Sequence, residues 1–372
     1  MRYFLVAGES SGDQHAADLM VRLKEADPYA VFSFIGGDRM SEIGGEPLIP
    51  IRELAFMGFT QVIGRLGLIR KSFNLCHEEI IRFKPDIIIP VDYGGFNLRL
   101  IRWAAKKGFR SIYYITPKVW AWMPSRARIL AKYTDKTLCI LPFESAFLEK
   151  YGSSSVYVGN PVRDSVRPVC ERNVAELKSE LGLGEKPVIA ILPGSRDQEI
   201  RKILPKMISM VPEFPDYHFV VAACDPFSDS YYGSLIKDSG VSIVRNHTHE
   251  LLRIANAALV TSGTATLEAG LLGTPQVVCY RTSPFSYLIA RMLVRIRYIS
   301  LVNLILNRNC VEELIQGRFN RRSLRVALKR IVSDEEVRNE MRTGYQEMTK
   351  RLGDSVAARE AAGIISSLAV SG

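Results

Sequence analysis

Short and almost continuously apolar runs alternate with amphipathic helical stretches from the first residues of the chain. In the first half, the runs that predict buried strands cover residues 3–7, 31–35, 87–91, 111–115 and 137–141. Residues 13–26, which follow the first run, carry apolar side chains at helical spacing. Strands that are apolar throughout and separated by helices are typical of a parallel sheet covered on both faces.

The same alternation restarts in the second half, after a stretch rich in charge, proline and glycine. The second series of predicted strands covers residues 188–192, 219–223, 241–244, 258–261 and 276–280. We therefore predict an α/β fold with two Rossmann-like, doubly wound domains that face each other across a cleft, which suits a chain of 372 residues. The predicted boundaries are an N-terminal domain over 1–165, a linker over 166–186, a C-terminal domain over 187–340 and C-terminal helices over 341–372. These last helices must pack on one of the two domains, and one route crosses back to the first.

The positive charge of the chain is concentrated in one segment. With 49 Lys and Arg against 39 Asp and Glu, the formal net charge is +10. The segment from Tyr93 to Thr134 contains nine Lys or Arg residues and no Asp or Glu, so it accounts for almost all of that excess. A basic surface next to apolar residues can attract anionic phospholipid, phosphorylated ligands or nucleic acid.

The cysteines and the apolar runs exclude several classes of protein. The six cysteines are scattered and form no Cys-x-x-Cys pair, which predicts reduced thiols and argues against a zinc ribbon or a dithiol redox centre. The first residues do not have the pattern of a signal peptide. No segment offers about 20 uninterrupted apolar residues, so we expect no membrane span.

Four predicted strands are followed by loops of small and polar residues, and ligands of such sheets bind at the carboxyl ends of the strands. The first loop contains Gly8, Glu9, Ser10, Ser11 and Gly12. Its amides at a helix start could bind an anion, or the loop could be a plain strand-to-helix turn. We expect Glu9 on the buried side of this turn.

In the second loop Asp92 follows a strand, where an acid suits a general base and equally suits a helix N-cap.

The third and fourth loops favour the binding of a phosphorylated ligand. The third contains Gly194, Ser195 and Arg196, and Ser195 could form a capping box with Gln198. Arg196 offers a planar donor fork that suits phosphate oxygens, although a surface Arg in a cap is the alternative. The fourth loop contains Ser262, Gly263 and Thr264, with Glu268 one turn further along. It could hold the diphosphate of a glycosyl-nucleotide on its amides and the ribose on Glu268, unless Glu268 merely lies on a solvated helix face.

Other polar and aromatic patterns are weaker. His247 and His249 have no third ligand nearby in sequence, so a plain loop is favoured over a metal site. No Asp-x-Asp pair occurs, which argues against a magnesium-dependent transfer. Trp120 and Trp122 could line a pocket or fill a core.

The joint order of these motifs resembles the lipid-A-disaccharide synthase family. The matching segments are AGESSGD (7–13), MGF (57–59), DYGGFN (92–97), YYITPKVWAW (113–122), LPFE (141–144), VGNP (158–161), LPGSRDQE (192–199), SGTATLE (262–268) and ELIQ (313–316). The resemblance implies a GT-B fold and an inverting, metal-independent glycosyltransferase without a cofactor. It implies UDP-2,3-diacylglucosamine as the donor and 2,3-diacylglucosamine 1-phosphate as the acceptor, joined by a β-1′,6 linkage with release of UDP.

The resemblance also implies roles for individual residues. Asp92 would be the base that takes the acceptor hydroxyl proton, and Glu9 would assist it. The donor and its UDP would be bound by Gly194, Ser195, Arg196, Ser262, Gly263, Thr264, Glu268, Asn303 and Gln316. The acceptor or lipid would be bound by Gly8, Ser10, Ser11, Gly12, Met57, Asn97, Trp120 and Trp122. Residues 57–70, which are basic and apolar, would face a membrane.

Three positions depart from the family pattern, namely Gly95, Asn160 and Val302, and they affect fine substrate preference more than the reaction. We expect a cytoplasmic protein, peripherally associated with the cytoplasmic face of an anionic inner membrane, and no nucleic acid as a partner. Two rival functions stay open from the residues: a non-catalytic basic protein that binds lipid or nucleic acid, and a UDP-sugar epimerase on the same fold. The oligomeric state is not predicted.

Overall fold

The chain forms two compact units in a computed structural model that describes residues 1–54, 66–237, 239–293 and 296–370. The first unit consists of Met1–Pro161 and Asp354–Gly372, and the second consists of Val162–Gly353. Each unit contains one parallel sheet with its own apolar core, and the two are described separately below.

The first unit is built on a seven-stranded sheet. Its strands are β1 (Arg2–Ala7), β2 (Val31–Gly36), β3 (Ile49–Pro50), β4 (Ile87–Val91), β5 (Ile112–Tyr114), β6 (Lys136–Cys139) and β7 (Ser155–Tyr157). They lie in the order β3-β2-β1-β4-β5-β6-β7 and all pairs are parallel. The helices between them are α1 (Ser10–Ala26), α2 (Asp38–Gly44), α3 (Ile51–Leu54), α4 (Leu66–Phe83), α5 (Gly94–Lys106), α6 (Ala127–Tyr133) and α7 (Pro142–Glu149).

Burial on both faces explains why the strand sequences are apolar throughout. On β1, Tyr3 and Leu5 belong to one core cluster, whereas Phe4 and Val6 belong to another. Since neighbouring residues of a strand point to opposite faces, these clusters cover the two sides of the sheet.

The second unit has a six-stranded parallel sheet. Its strands are β8 (Val188–Leu192), β9 (His218–Ala223), β10 (Ser242–Arg245), β11 (Ala257–Thr261), β12 (Gln276–Tyr280) and β13 (Glu312–Ile315), in the order β10-β9-β8-β11-β12-β13. Its helices are α8 (Pro161–Cys170), α9 (Val174–Glu180), α10 (Asp197–Ile208), α11 (Asp229–Ile236), α12 (Thr248–Ile254), α13 (Thr264–Leu271), α14 (Pro284–Leu293), α15 (Leu301–Leu306), α16 (Arg321–Ser333) and α17 (Glu335–Leu352).

Both sheets have the strand order of a doubly wound fold, which confirms the predicted fold class. The order reverses between β1 and β4 in the first unit and between β8 and β11 in the second. Ligands of such sheets bind at this switch point, beyond the carboxyl ends of the strands. The four loops singled out in the sequence follow these four strands.

The structure divides the chain differently from the predicted boundaries. Residues 166–186, predicted as a linker, contain the second half of α8 and the whole of α9, and Val166, Val169 and Leu177 are buried in the core of the second unit. Residues 341–353 belong to that unit as well. The last helix, α18 (Ala357–Val370), packs instead on the first unit, where Ile365 joins the cluster around β1.

No helix within the described ranges is both long enough and apolar enough to cross a membrane.

Candidate active site

Asp92 lies at the switch point of the first sheet, directly after β4. The register pairs Ala7 of β1 with Val91 of β4, so Gly8 and Asp92 leave neighbouring strands side by side. Asp92 and Tyr93 both have a φ of 47°, a left-handed conformation that non-glycine residues rarely adopt. A Cβ on Gly8 would lie 2.3 Å from the Tyr93 ring, so the ring occupies the space that the glycine leaves.

The environment of Asp92 favours its use as a base. Its half-buried carboxyl has a pKa of about 6, because burial raises the pKa and the Glu9 charge adds to this, while Lys118 and the Tyr93 N–H oppose it. A base works best when its pKa lies near the operating pH, since it is then largely ionised but still accepts a proton. The structure does not support the alternative of an N-cap, because Tyr93 takes the cap position of α5 and no side chain caps that helix.

The loop after β1 separates into buried and exposed residues. Glu9, Ser10 and Ser11 are exposed, so the expectation that Glu9 lies on the buried side was wrong. Gly8 and Gly12 are buried, and a Cβ on Gly12 would lie 3.6 Å from the Ala7 Cβ, which shows that this glycine packs α1 against β1.

The next residue, Asp13, has a structural role that the sequence did not reveal. Its buried carboxylate accepts hydrogen bonds from the backbone N–H groups of Gly37 (2.6 Å), Arg39 (3.1 Å) and Met40 (3.3 Å). Asp13 therefore caps the start of α2, a contact between segments distant in sequence.

Asn97 lies at the ends of β1 and β4, and its side-chain nitrogen binds the backbone there. It is fully buried, and its side-chain nitrogen donates to the carbonyls of Val6 (3.2 Å), Val91 (3.4 Å) and Asp92 (2.9 Å). The amide thus ties the ends of β1 and β4 together. The nitrogen thus has a role in holding the backbone, while Oδ1 is buried with no hydrogen-bond partner among the described residues, so acceptor binding by Asn97 stays a prediction.

The two tryptophans of the Trp-Ala-Trp segment differ in their surroundings. The half-buried Trp120 indole donates to the Glu144 carboxylate at 2.9 Å and meets the Phe143 ring edge to face at 5.0 Å. Trp122 is also half-buried, and the Arg126 guanidinium lies 5.0 Å from its ring centroid. Both rings are therefore part of the packed surface of the first unit rather than wholly within its core.

Glu144 is a buried acid that composition alone did not single out. Burial raises its pKa, although the Trp120 indole and the backbone N–H groups of Leu141 and Ile140 donate to it. It forms a capping box at the start of α7. The LPFE segment was the available signal for this residue.

Met57, predicted to bind lipid, lies outside the described residues, as do the other residues of the 55–65 segment. The described end of the predicted membrane-facing segment is the start of α4, where Arg70 is exposed.

In the second unit the loop after β8 leaves a basic side chain in solvent. Gly194 has a φ of 104°, and a Cβ there would lie 2.8 Å from Oε2 of Glu199, so the turn requires glycine. Ser195 and Arg196 are exposed, and the Arg196 guanidinium lies 3.3 Å from Oε1 of Glu199. The predicted capping box is wrong, because Arg196 itself occupies the N-cap position and α10 has no side-chain cap.

The loop after β11 begins α13 with open amides. Gly263 is the N-cap, with a φ of 156° and no side-chain cap, and Thr264 is exposed. The Ser262 hydroxyl donates to the carbonyl of Ile299 at 2.9 Å, which fixes this loop against the segment that precedes α15.

Glu268 lies one turn into α13 and has a histidine partner. Oε1 of Glu268 lies 3.8 Å from Nε2 of His249. Burial by itself lowers the pKa of His249, but Glu268 and then Glu250 raise it to a net value above the ordinary one. His249 is thus a charge partner for Glu268. Within the described residues no group of three or more His, Cys, Asp and Glu side chains could share a metal ion.

Asn303 was predicted to bind the donor, but both polar atoms of its side chain form hydrogen bonds within the second unit. It is fully buried, and its nitrogen donates to the carbonyl of Val311 and to Glu313, each at 2.9 Å. Its oxygen accepts from the backbone N–H groups of Cys310 (2.7 Å) and Val311 (2.9 Å). No group of this amide is left for a ligand.

Gln316 is placed differently from Asn303. It follows β13 with a φ of 52°, and its side-chain nitrogen is buried with no hydrogen-bond partner in the part of the chain that the structure describes. Because unpaired buried donors are rare, this amide is available to a ligand at the carboxyl end of the strand.

The three departures from the family pattern fit their local surroundings. Gly95 is exposed, and a Cβ there would meet nothing within 4 Å. Asn160 is buried and donates to the carbonyl of Ile140 at 2.7 Å. Val302 is fully buried.

Comparison with known proteins identifies the family. A family model described as lipid-A-disaccharide synthetase matches residues 3–366. The lipid-A-disaccharide synthase of Myxococcus xanthus is 38% identical over 368 residues, which cover 97% of this chain and 96% of the relative. That of Geobacter sulfurreducens is 32% identical over 370 residues, which cover 98% and 96%. This chain belongs to the lipid-A-disaccharide synthase family.

Solved structures agree with the fold of this synthase-family chain. UDP-GlcNAc 2-epimerase from Neisseria meningitidis, bound to UDP-GlcNAc, has a TM-score of 0.68 at 14% identity and covers 100% of both chains. A calicheamicin glycosyltransferase has a TM-score of 0.61 at 16% identity and covers 99% of this chain and 98% of its own. At these identities the likeness shows the fold alone.

Membership of the lipid-A-disaccharide synthase family confirms the main functional prediction. The protein is a glycosyltransferase of lipid A biosynthesis. The two rival functions, a basic non-catalytic binding protein and a UDP-sugar epimerase, are not favoured.

Proposed function

We propose that the protein transfers 2,3-diacylglucosamine from UDP to the 6-hydroxyl of 2,3-diacylglucosamine 1-phosphate, with inversion at the anomeric carbon. The bond between the anomeric carbon and the UDP oxygen breaks as the bond to the acceptor oxygen forms. The acceptor hydroxyl loses its proton and UDP leaves as the anion. The half-buried Asp92 carboxyl at the switch point, with its raised pKa, is the observation that carries this proposal.

Asp92 acts as the general base in this proposal. It removes the proton of the attacking hydroxyl, a contribution worth about 10²–10⁴-fold in rate. Glu9, which is exposed beside it, keeps the local potential negative and so helps Asp92 to hold the proton.

The second unit binds the donor. Arg196 is exposed at the start of α10, and the amides of Gly263 and Thr264 begin α13 without a side-chain cap. A diphosphate at these groups is stabilised as its charge grows, because guanidinium and helix-start donors both favour anions. Glu268 accepts the ribose hydroxyls, and Gln316 donates to the donor. We propose that these groups replace a metal.

The first unit also contacts the membrane surface in this proposal. Helix α5 begins directly after the Asp92 loop and exposes Arg99, Arg102 and Lys106, which share one face because they are three and four residues apart. None of the three has an ion-pair partner among the residues that the structure describes. A stripe of unpaired bases attracts the anionic headgroups among which a lipid substrate lies.

The test is an assay of UDP release from UDP-2,3-diacylglucosamine with and without the 1-phosphate acceptor. We expect acceptor-dependent UDP release that persists with excess chelator and falls about 10²–10⁴-fold in Asp92→Asn. Glu25→Gln, at an exposed residue of α1, is the matched control and should retain the activity of the unaltered enzyme. Near-normal turnover by the Asp92 variant would overturn the role of the base, and a strict need for a divalent ion would overturn the metal-free mechanism.

A further inference from the structure

We propose that Tyr113 is a positioning residue for Asp92 and that it works together with Asn97. The hydroxyl of Tyr113 and the amide of Asn97 hold the carbonyl of Asp92 and thereby keep the left-handed turn at the end of β4. This inference rests on the proposed role of Asp92 as the base. It adds a function for Tyr113, which does not need to touch a substrate.

The backbone of this turn is unusual and must be held by its surroundings. Asp92 and Tyr93 both have a φ of 47°, although neither is glycine, and Ile115 on the adjacent connection has a φ of 59°. Such conformations persist only where neighbouring contacts determine them, and they concentrate at functional sites.

Both backbone polar groups of Asp92 are bound. Its N–H donates to the carbonyls of Tyr114 and Ile115, each at 3.1 Å. Its carbonyl accepts from the Tyr113 hydroxyl at 2.5 Å and from the Asn97 amide at 2.9 Å. The backbone of Asp92 is therefore held by residues at β5 and by Asn97 of α5.

The Tyr113 hydroxyl is suited to remain a donor. The ring is fully buried beside Leu98, Ile101 and Val119 in one apolar cluster. Burial, followed by the nearby Asp92 charge, raises the pKa of Tyr113 well above its usual value, so the phenol is protonated at neutral pH.

The space around the turn leaves the base little freedom. A Cβ on Gly8 would lie 2.3 Å from the Tyr93 ring, and a Cβ on Gly94 would lie 2.6 Å from the Cβ of Pro117. Without the Tyr113 hydroxyl, the Asp92 carbonyl can turn toward another donor. The carboxyl then moves and becomes more hydrated, which lowers its pKa toward the ordinary value.

The experiment compares Tyr113→Phe with Tyr3→Phe. Tyr3 is a fully buried tyrosine near the amino end of β1, at the opposite end of the same sheet, and its hydroxyl contacts the Met1 sulfur at 3.4 Å and the Ser366 side chain. We expect Tyr113→Phe to lower kcat about 10- to 100-fold, with little change in the KM of either sugar, because a small misplacement of a catalytic group is costly. Tyr3→Phe should keep the kcat of the unaltered enzyme.

The pH profile separates positioning from a loss of stability. The acid limb of kcat/KM should move from about pH 6 toward lower pH in Tyr113→Phe and stay in place in Tyr3→Phe. The charged and titratable groups that act on Asp92, namely Glu9, Lys118 and Tyr93, are retained in both variants. If Tyr113→Phe does not fold, Asn97→Ser removes the other donor to the same carbonyl, and we expect the same two changes.

A double variant separates this inference from the proposed function. If Tyr113 acts through Asp92, Tyr113→Phe should cause no further loss in an Asp92→Asn background. An impaired Asp92→Asn enzyme together with a fully active Tyr113→Phe enzyme would overturn the positioning role alone. Additive losses in the double variant would overturn it too. An active Asp92→Asn enzyme would show that Asp92 is not the base, and both proposals would then be wrong.

Discussion

Oε1 of Glu313 accepts a hydrogen bond from the side-chain amide of Asn303 at 2.9 Å. The same carboxylate accepts from the backbone N–H groups of Ile299 (3.1 and 3.0 Å) and Ser300 (2.9 Å). Since the carbonyl of Ile299 accepts from Ser262, this pair supports the loop that is proposed to bind the donor diphosphate. Its effect on the donor is therefore indirect.

Asn303→Ala should destabilise the second unit strongly. The change leaves the half-buried Glu313 carboxylate and the backbone N–H groups of Cys310 and Val311 with fewer partners, and we expect the free energy of unfolding to fall by about 2–4 kcal/mol. Chemical denaturation measures this loss. Asn339→Ala, at an exposed position of α17, is the control and should lie within about 0.5 kcal/mol of the parent protein. Unchanged stability of Asn303→Ala, together with a weaker affinity for UDP, would restore a direct contact of Asn303 with the donor.

Gly8→Ala should displace the Tyr93 ring and with it the turn that contains Asp92. The added Cβ would lie 2.3 Å from that ring, so we expect a loss of about 1–3 kcal/mol in stability and a lower kcat. Gly363→Ala is the matched control, because this glycine is exposed within α18 and a Cβ there meets nothing within 4 Å. The control should gain about 0.5–1 kcal/mol, as alanine favours a helix. A Gly8→Ala enzyme with unaltered kcat and melting temperature would show that the ring is not held as described.

Much of the fold could be predicted from the sequence because its central strands are buried on both faces. The predicted bounds 87–91, 188–192 and 276–280 match β4, β8 and β12. The short edge strands β3, β7 and β13 were missed, since Pro50, Ser155 or Glu312 interrupts the apolar pattern and each strand has a neighbour on one side only.

The candidate site could be predicted only in part. The position of Asp92 after an apolar strand was sufficient to single it out. The sequence could not show where a side-chain amide is directed, so Asn97 and Asn303 were assigned to ligands although both bind the backbone. Tyr113 lies within an apolar run, and its role depends on a contact with the end of a neighbouring strand.

Asp92→Asn should stabilise the protein at neutral pH while it abolishes most activity. Burial raises the pKa of this carboxyl to about 6 in the folded state, so the folded protein binds the proton more tightly than the unfolded chain does. The contribution of Asp92 to stability therefore falls as the pH rises from about 4 to about 6, and it stays unfavourable above that range. We expect the variant to gain about 1–3 kcal/mol at about pH 8 and clearly less at about pH 5.

Thermal melting at the two pH values measures this difference. Asp216→Asn, at an exposed position of the second unit, is the control for a general effect of removing an acid. A gain for Asp92→Asn that is equal at both pH values would contradict the raised pKa.

Arg196→Ala should weaken donor binding without affecting the fold. The side chain is 74% exposed, and among the residues that the structure describes its one ion pair is with Glu199 at 3.3 Å, so the stability should change by less than about 0.5 kcal/mol. Loss of a charge-assisted contact to the diphosphate should lower the affinity for UDP about 10- to 100-fold. Calorimetric titration with UDP measures this change.

Arg201→Ala removes a base of the same helix that is already paired with Asp197 at 2.7 Å, and it should keep the parent affinity. Equal losses in both variants would point to general electrostatics instead of a specific contact.

Replacement of Arg99, Arg102 and Lys106 by Gln should weaken binding to anionic membranes. The three exposed bases lie on one face of α5 and belong to the acid-free segment that contains most of the net charge. Each base near an anionic surface contributes about 1 kcal/mol, so the triple variant should bind about 100-fold more weakly. Sedimentation with phosphatidylglycerol vesicles at low salt measures the change, with phosphatidylcholine vesicles as the neutral reference.

The matched control replaces Arg342, Lys350 and Arg359 by Gln. These three exposed bases lie among acids on α17 and α18. If the control loses as much affinity as the α5 variant, net charge rather than this helix face governs binding. If neither variant loses affinity, the membrane contact lies elsewhere.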